Sequence, residues 1–290
     1  MQIELIDTFL DLIETRSFNR TAERMGVTQS TVSGRLVALE GALGVRLFQR
    51  SRAGTDITTD GLKFEPHARL IRADWTRARR SVGAAGSAAM TLRLGLQNDL
   101  SAAWLGDIIA DFRAALPETA FYVEPDYSAQ MCSDVVSGHS DFAVIFTPKP
   151  HPDLAFTTVG EIPYRMISSD PAPLADVALD SYVMANISPA FATTHRQLLP
   201  SLSVASLSVG QSIAVAGLLQ AMGGAGYVME GAARGMVATG RFGFVSGAPV
   251  IRQPVHTVVH LRDRMSKLHR TLVKSVAARF AGVAAPSRSG

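Results

Sequence analysis

The sequence predicts an α/β protein in which a small, mainly α N-terminal unit is followed by a long helix and a larger region of alternating strands and helices. Three observations predict it. Two short, capped helical runs lie between residues 17 and 44 and lead into an arginine-bearing hairpin. Apolar residues then recur at spacings of four and three from Phe64 to Val82. From Thr91 onward, strand-like and helix-like runs alternate, the order that builds a parallel sheet with right-handed crossovers.

The first helix is marked by Ile3, Ile6, Leu10 and Ile13. Glu4, Asp7, Asp11 and Glu14 precede its first arginine, which sets it apart from a basic-headed signal peptide. Ser17 is a good N-cap for a short run through Thr21 to Met25, and Gly26 can take the left-handed conformation that ends it. Thr28 caps the next helix, where Val32, Leu36 and Leu39 form one apolar stripe. The opposite face shows Gln29, Ser30, Ser33 and Arg35, short polar groups suited to a major groove about 12 Å wide. Arg16, Arg20, Arg24, Arg35, Arg46, Arg50 and Arg52 stand against only Glu23 and Glu40, while the whole chain carries +3. A solvated basic face would explain the charge alone. Charge together with two capped helices at this spacing predicts a winged helix-turn-helix DNA reader.

Leu5, Phe9, Ser17, Phe18, Ala22, Gln29, Ser30, Val32, Ser33, Leu39, Glu40, Leu43, Gly44, Leu47, Phe48, Arg50, Thr58 and Gly61 follow one known pattern at its spacing. The segment resembles the N-terminal domain of LysR-type transcriptional regulators, and the chain follows that family's plan to about residue 280. The resemblance implies a promoter-binding regulator, a homodimer or dimer of dimers, with Thr28, Gln29, Ser30, Thr31, Ser33, Arg35, Arg50 and Arg52 at the DNA. Of these, Thr28, Arg35, Arg50 and Arg52 are expected at phosphates and the early helix residues at bases. Gly34 departs from the pattern: the family more often carries a long polar or basic side chain there, and glycine inside a helix costs roughly 1 kcal/mol relative to alanine.

The seam of Phe64, Ala68, Ile71, Trp75, Ala78 and Val82 fits either a helix that pairs two subunits or one that packs on its own domain. A reader that binds DNA as a pair favours the first, and the segment resembles the family's linker helix. Pro66 implies that the helix starts near it or bends there. The small residues of 83–89 read as a hinge.

Beyond it come strand Leu92–Leu96, helix Ala102–Leu116 stopped by Pro117, strand Phe121–Glu124, helix Gln130–Ser137 and strand Phe142–Phe146. After Pro163 the order repeats: strands at 164–169 and 181–186, a helix near His195–Leu199, a strand at 202–206, helix Ser212–Met222 and a strand at 227–229. A strand at 256–261 and helix Met265–Phe280 close the chain. This order resembles the family's two-lobed, periplasmic-binding-protein-like effector domain. The expected division is residues 1–60 for the reader, 61–90 for linker helix and hinge, and 91–280 for the effector domain. Within it, lobe 1 takes 91–162 and 261–280, lobe 2 takes 163–260, and 281–290 form a disordered tail.

Enzymatic chemistry finds little footing. The glycines of 223–226 lack the spacing of a dinucleotide site and read as a turn into a strand. His256 and His260 lie on a strand, roughly 13 Å apart and too far to share a metal. Ser137, His139 and Asp141 lie on a turn without a nucleophile elbow, and the aspartate resembles a structural one. Cys132, the single cysteine, excludes an internal disulfide and reads as packing. Neither catalysis, cofactor nor metal is expected. No apolar run reaches the roughly 18 residues of a membrane span, so a cytoplasmic protein is expected.

A cleft is better supported, because ligands of open α/β sheets sit beyond the carboxyl ends of strands. Gln97, Asn98 and Ser101 follow the first strand, Tyr127 and Ser128 the second, Thr147 the third, and Ser188, Phe191 and His195 one of lobe 2. Asn98, Ser101, Ser128, Thr147, Ser188 and Phe191 are the expected effector contacts, in the place where family members hold small molecules. A carboxylate is the class that helix N-termini favour. Two further readings stay open: a C-terminal domain that only assembles, and an enzyme that acquired a DNA reader.

Overall fold

A computed structural model describes residues 2–51, 54–83, 90–170 and 173–281 of the chain. It divides into two compact units, Met1–Gly86 with Val136–His139, and Ser87–Val135 with Ser140–Gly290.

The first unit opens with α1 (Ile3–Thr15), α2 (Phe18–Met25) and α3 (Gln29–Leu43). The caps are those the sequence signals. Ser17 accepts the Arg20 N–H at 3.4 Å and Thr28 that of Thr31 at 3.2 Å, while Gly26 and Gly44 end their helices at φ 65° and 72°. Ile6, Phe9, Leu10, Leu12, Leu36 and Leu39 bury the inner faces of α1 and α3 with Leu47 and Phe48. Strands β1 (Phe48–Ser51) and β2 (Gly54–Ile57) pair antiparallel as the wing.

α4 (Thr59–Gly83) runs 25 residues with Pro66 inside it, so it begins a full seven positions before the proline. Gly61 sits where a Cβ would lie 2.4 Å from the Leu47 carbonyl oxygen, which lets α4 start hard against the wing. The heptad reading needs correction at its N-terminal half. Ala68 is buried in the reader's own core, Phe64 and Ile71 pack on it, and the Phe64 ring lies 5.2 Å from that of Phe9. Trp75, 48% exposed, and Ala78 stand outside that core.

The second unit is built on nine strands among the described residues. Its first lobe holds β3 (Met90–Gln97), α5 (Asn98–Ala115), β4 (Thr119–Asp126), α6 (Ser128–Ser137) and β5 (Phe142–Ile145). β3 pairs parallel with both β4 and β5. β6 (Leu154–Ser168) is one strand of 15 residues that passes through Pro163, where the sequence suggested a break. Lobe 2 follows with β7 (Tyr182–Ala185), α7 (Pro189–Leu198), β8 (Leu207–Val209), α8 (Ser212–Met222), β9 (Ala225–Met229), α9 (Glu230–Ala238) and β10 (Gly243–Phe244). β7 pairs parallel with β8 and β9. β11 (Ile251–His260) then returns antiparallel to β6 and β5, and α10 (Lys267–Ala281) packs last.

Helices start earlier than periodicity suggests: α5 at Asn98, α6 at Ser128 and α7 at Pro189. The strand expected at 202–206 is a short 3-10 turn, and β8 is the next copy of the same Leu-Ser-Val tripeptide. Pro200 at the start of that turn and the Ser203 hydroxyl, which donates to the Leu199 carbonyl at 2.9 Å, hold the first copy in a turn. The tail expected at 281–290 lies, apart from Ala281, outside the described residues, as does most of the hinge at 83–89.

Candidate DNA interface and effector cleft

The exposed face of α3 is polar at its N-terminal end. Thr28, Gln29, Ser30 and Thr31 are exposed and Ser33 half-buried, while Val32, Leu36 and Leu39 point inward. The Thr28 hydroxyl lies 2.9 Å from that of Ser30 and 2.8 Å from that of Thr31, so three hydroxyls gather at the positive end of the helix dipole. Val37, 64% exposed, stands one and two turns along the face of Ser33 and Ser30. Sequence reasoning missed it, although the seven-residue spacing from Ser30 was the available signal.

The structure corrects Arg35. It is half-buried, its guanidinium donates to the Thr8 hydroxyl at 3.4 Å, and it ties α3 to α1 instead of pointing outward. The charge count also changes in space. Arg16 pairs with Asp56 of the wing, and Arg24 lies 3.0 Å from both Asp11 and Glu14, all acids outside the basic stretch. Of the wing arginines, Arg50 is paired with Thr55 through its backbone, its side chain is outside the described set, and Arg52 lies outside the described residues altogether. Glu40 has an unforeseen role: its carboxylate accepts the N–H groups of Leu47 at 2.7 Å and Phe48 at 3.2 Å and so joins α3 to β1.

In the second unit the cleft residues fall into two groups. Ser128 and Phe191 lie inside, not on a rim. The Ser128 hydroxyl donates to the Gln97 Oε1 at 2.8 Å and accepts the N–H groups of Phe146 and Thr147 at 3.1 Å each, which uses its whole capacity. Phe191 is 1% exposed and packs edge-on against Tyr164 at 5.2 Å. Ser188 caps α7 through the Phe191 N–H and donates to the Gln253 Oε1 at 2.6 Å. Gln253, buried and unforeseen, donates in turn to the Phe146 carbonyl at 3.2 Å, so one amide joins both lobes. Asn98 and Ser101 are half-buried on the first turn of α5. The Thr147 Oγ1 is buried with no hydrogen-bond partner among the described residues.

His195, expected beside the cleft, is buried in lobe 2. Asp141 is structural: it accepts the Arg93 N–H at 2.9 Å and returns its own to the Arg93 carbonyl at 2.8 Å, locking the entry of β5 to β3. A separate cavity of about 310 Å³ lies between Ala103 and Trp104 of α5, Ile162 and Pro163 of β6, and Glu230 and Arg234 of α9. Its walls are mostly apolar, and the Arg234–Glu230 pair, 2.9 Å apart, is part of its lining. No helix among the described residues is long and apolar enough to cross a membrane.

Residues 3–62 match the family described as bacterial regulatory helix-turn-helix protein, lysR family, and residues 85–281 match the LysR substrate binding domain. Over 82 residues the chain is 44% identical to the HTH-type transcriptional regulator HdfR of Shigella boydii and 45% identical to that of Salmonella newport. Those matches take in 28% of this chain and 29% and 30% of the relatives, so the likeness spans under a third of their length. Among solved structures, a full-length OxyR from Pseudomonas aeruginosa aligns with a TM-score of 0.59 at 19% identity, covering 100% of this chain and 99% of that one. ArgP from Mycobacterium tuberculosis gives 0.59 at 20%, covering 96% and 97%. LysG from Corynebacterium glutamicum with bound effector Arg gives 0.57 at 18%, covering 96% and 99%. These likenesses are of fold. With its N-terminal reader and its C-terminal domain both matched, the chain belongs to the LysR family of bacterial regulatory helix-turn-helix proteins.

Proposed function

We propose that the chain is a DNA-binding transcriptional regulator whose α3 enters the major groove of a near-palindromic promoter element, and whose C-terminal domain answers to a small molecule held between its lobes. It acts in the cytoplasm as a homodimer or a dimer of dimers. The observation that carries the DNA reading is the hydroxyl-rich, exposed N-terminal end of α3, in a unit that also carries a two-stranded wing. Gln29, Ser30, Ser33 and Val37 then face bases; Thr28, Thr31, Arg50 and Arg52 face phosphates. The effector reading is supported by the buried Thr147 hydroxyl, without a hydrogen-bond partner among the described residues, and by the half-buried Asn98 and Ser101 at the start of α5. LysG, of the same fold, carries Arg as its effector.

Gel retardation of a fragment from the protein's own promoter region, with and without candidate metabolites, tests both parts. A shift that a metabolite strengthens or weakens supports the full reading. Absence of any shift at low salt sinks the DNA assignment. A second reading, a domain that assembles but does not sense, is favoured by one observation: Ser188 and Gln253 already satisfy one another at the cleft, and Ser128 is spent on Gln97, Phe146 and Thr147. Retention unmoved by every metabolite would select it.

A further inference from the structure

Asp99 stands at the second position of α5 and is 2% exposed, with no ion pair among the described residues. One carboxylate oxygen accepts the N–H of Ser212, the first residue of α8, at 2.7 Å. The other accepts the Tyr164 hydroxyl at 2.8 Å. Ser212 is 5% exposed and Tyr164 fully buried, so both donors are aimed into a closed space. Gln211, the N-cap of α8, supplies no side-chain cap, so an N–H at the start of α8 in lobe 2 is satisfied by a residue of lobe 1, 113 positions away. Tyr127 of lobe 1 covers the same end of α8: a Cβ on Gly210 would come 3.0 Å from its hydroxyl. Burial raises the Asp99 carboxyl above its ordinary value, against the lowering effect of the Tyr164 and Ser212 hydrogen bonds.

A helix N-terminus carries roughly half a positive charge and is a ready anion site. Here the anion belongs to the chain. We propose that Asp99 fixes the charge preference of the cleft: its carboxylate occupies the anion position at the start of α8, excludes anionic groups from it, and leaves the effector to meet that end with a neutral or cationic group. Without the carboxylate, the Ser212 N–H and hydroxyl and the Tyr164 O–H are buried donors converging on a space of carboxylate size, and unsatisfied donors of this kind are costly. The carboxylate expected of an effector is thus, at α8, a side chain of the protein itself. The word effector rests on the reading above; the anion position rests on the geometry alone.

Asp99→Ala in the full chain tests this by anion rescue. Thermal melts are compared in formate, acetate and chloride at equal ionic strength. At about 50 mM, formate or acetate should raise the melting temperature of the variant by about 2–4 °C over chloride, and leave the wild type indifferent to the choice of salt. If Asp99→Ala is unfolded in chloride, the same two anions should restore its folded circular dichroism. Adding Tyr164→Phe removes one of these donors and should reduce the effect. Failure of both anions to stabilise or rescue the variant, equal stabilisation of the wild type, or indifference to Tyr164→Phe each overturns the proposal. The measurement needs neither DNA nor metabolite, so its outcome is separate from that of the retardation assay.

Discussion

Tyr182 and His195 are joined by a 2.7 Å hydrogen bond whose direction can be assigned. The Ser203 hydroxyl donates its hydrogen to the Leu199 carbonyl, so it must accept from the His195 Nδ1–H at 3.3 Å. Nε2 is then the acceptor and the tyrosine the donor. A neutral imidazole, stacked on Tyr182 and set edge-on to Tyr227, satisfies every partner.

A pH dependence follows. Burial lowers the His195 pKa, so below about 6.5 the unfolded chain takes up a proton that the folded chain refuses. The stability His195 contributes is present above that value and lost as pH falls toward the folded pKa, with a slope of at most about 1.4 kcal/mol per pH unit. Burial lowers His256 in the same sense. Thermal melts from pH 7.5 to 5.5 should show a falling midpoint, and His195→Gln should flatten the curve while lowering it at pH 7.5. A variant curve parallel to the wild type would reject this assignment.

Glu40→Ala removes the acceptor of two backbone N–H groups and should destabilise the reader by about 1–3 kcal/mol. Glu40→Gln keeps a carbonyl oxygen and should lose less. Denaturant unfolding of the two variants checks the order, and DNA retention should follow it because the wing hangs from these bonds.

Gly34→Ala should raise stability by about 0.5–1 kcal/mol, since a Cβ there meets nothing within 4 Å and the helix gains a better former. Thermal unfolding reads the gain. A loss would mean that position 34 is covered in solution.

On DNA, Gln29→Ala or Ser33→Ala should narrow the difference between preferred and unrelated sequences, each base contact being worth about 1–3 kcal/mol. Arg52→Ala should weaken all sequences alike and flatten the salt dependence. Competition binding at several salt concentrations separates the two patterns, and a change of preference alone in Arg52→Ala would reject the wing assignment.

Trp75 is an exposed aromatic residue that α4 leaves outside the reader core. Trp75→Glu should shift the sedimentation of the protein toward monomer and reduce retention of a two-half-site fragment more than that of one half-site. Unchanged sedimentation would place the subunit contact elsewhere.

The reader was legible because its signals are local: Ser17, Gly26, Thr28 and Gly44 act within a few residues of themselves. Arg35 was misread because a position three after Val32 lies on the boundary of the buried stripe, where only the presence of Thr8 decides its direction. The seam of α4 could not say whose core it joins, since Phe64 would satisfy the same pattern against Phe9 or against a partner. The cleft was located by strand ends but its occupancy was not, because Asp99, Ser212, Ser188 and Gln253 meet across separations of 65 to 113 residues. The Leu-Ser-Val pair marks the limit: identical tripeptides take a turn and a strand, and their neighbours choose.

β6 and β11 carry the chain out to lobe 2 and back, and they are bonded to each other from Leu154–His260 to Tyr164–Ile251. Val159 is the extra residue of a bulge opposite Val255 and His256, midway along this ribbon. Sliding β6 along β11 would shear the whole ladder, and keeping each side chain on its own face requires steps of two residues, about 7 Å. Bending or twisting the ribbon at the bulge breaks none of it. A change of angle at the bulge is therefore the movement of one lobe against the other that this ladder permits without losing a bond.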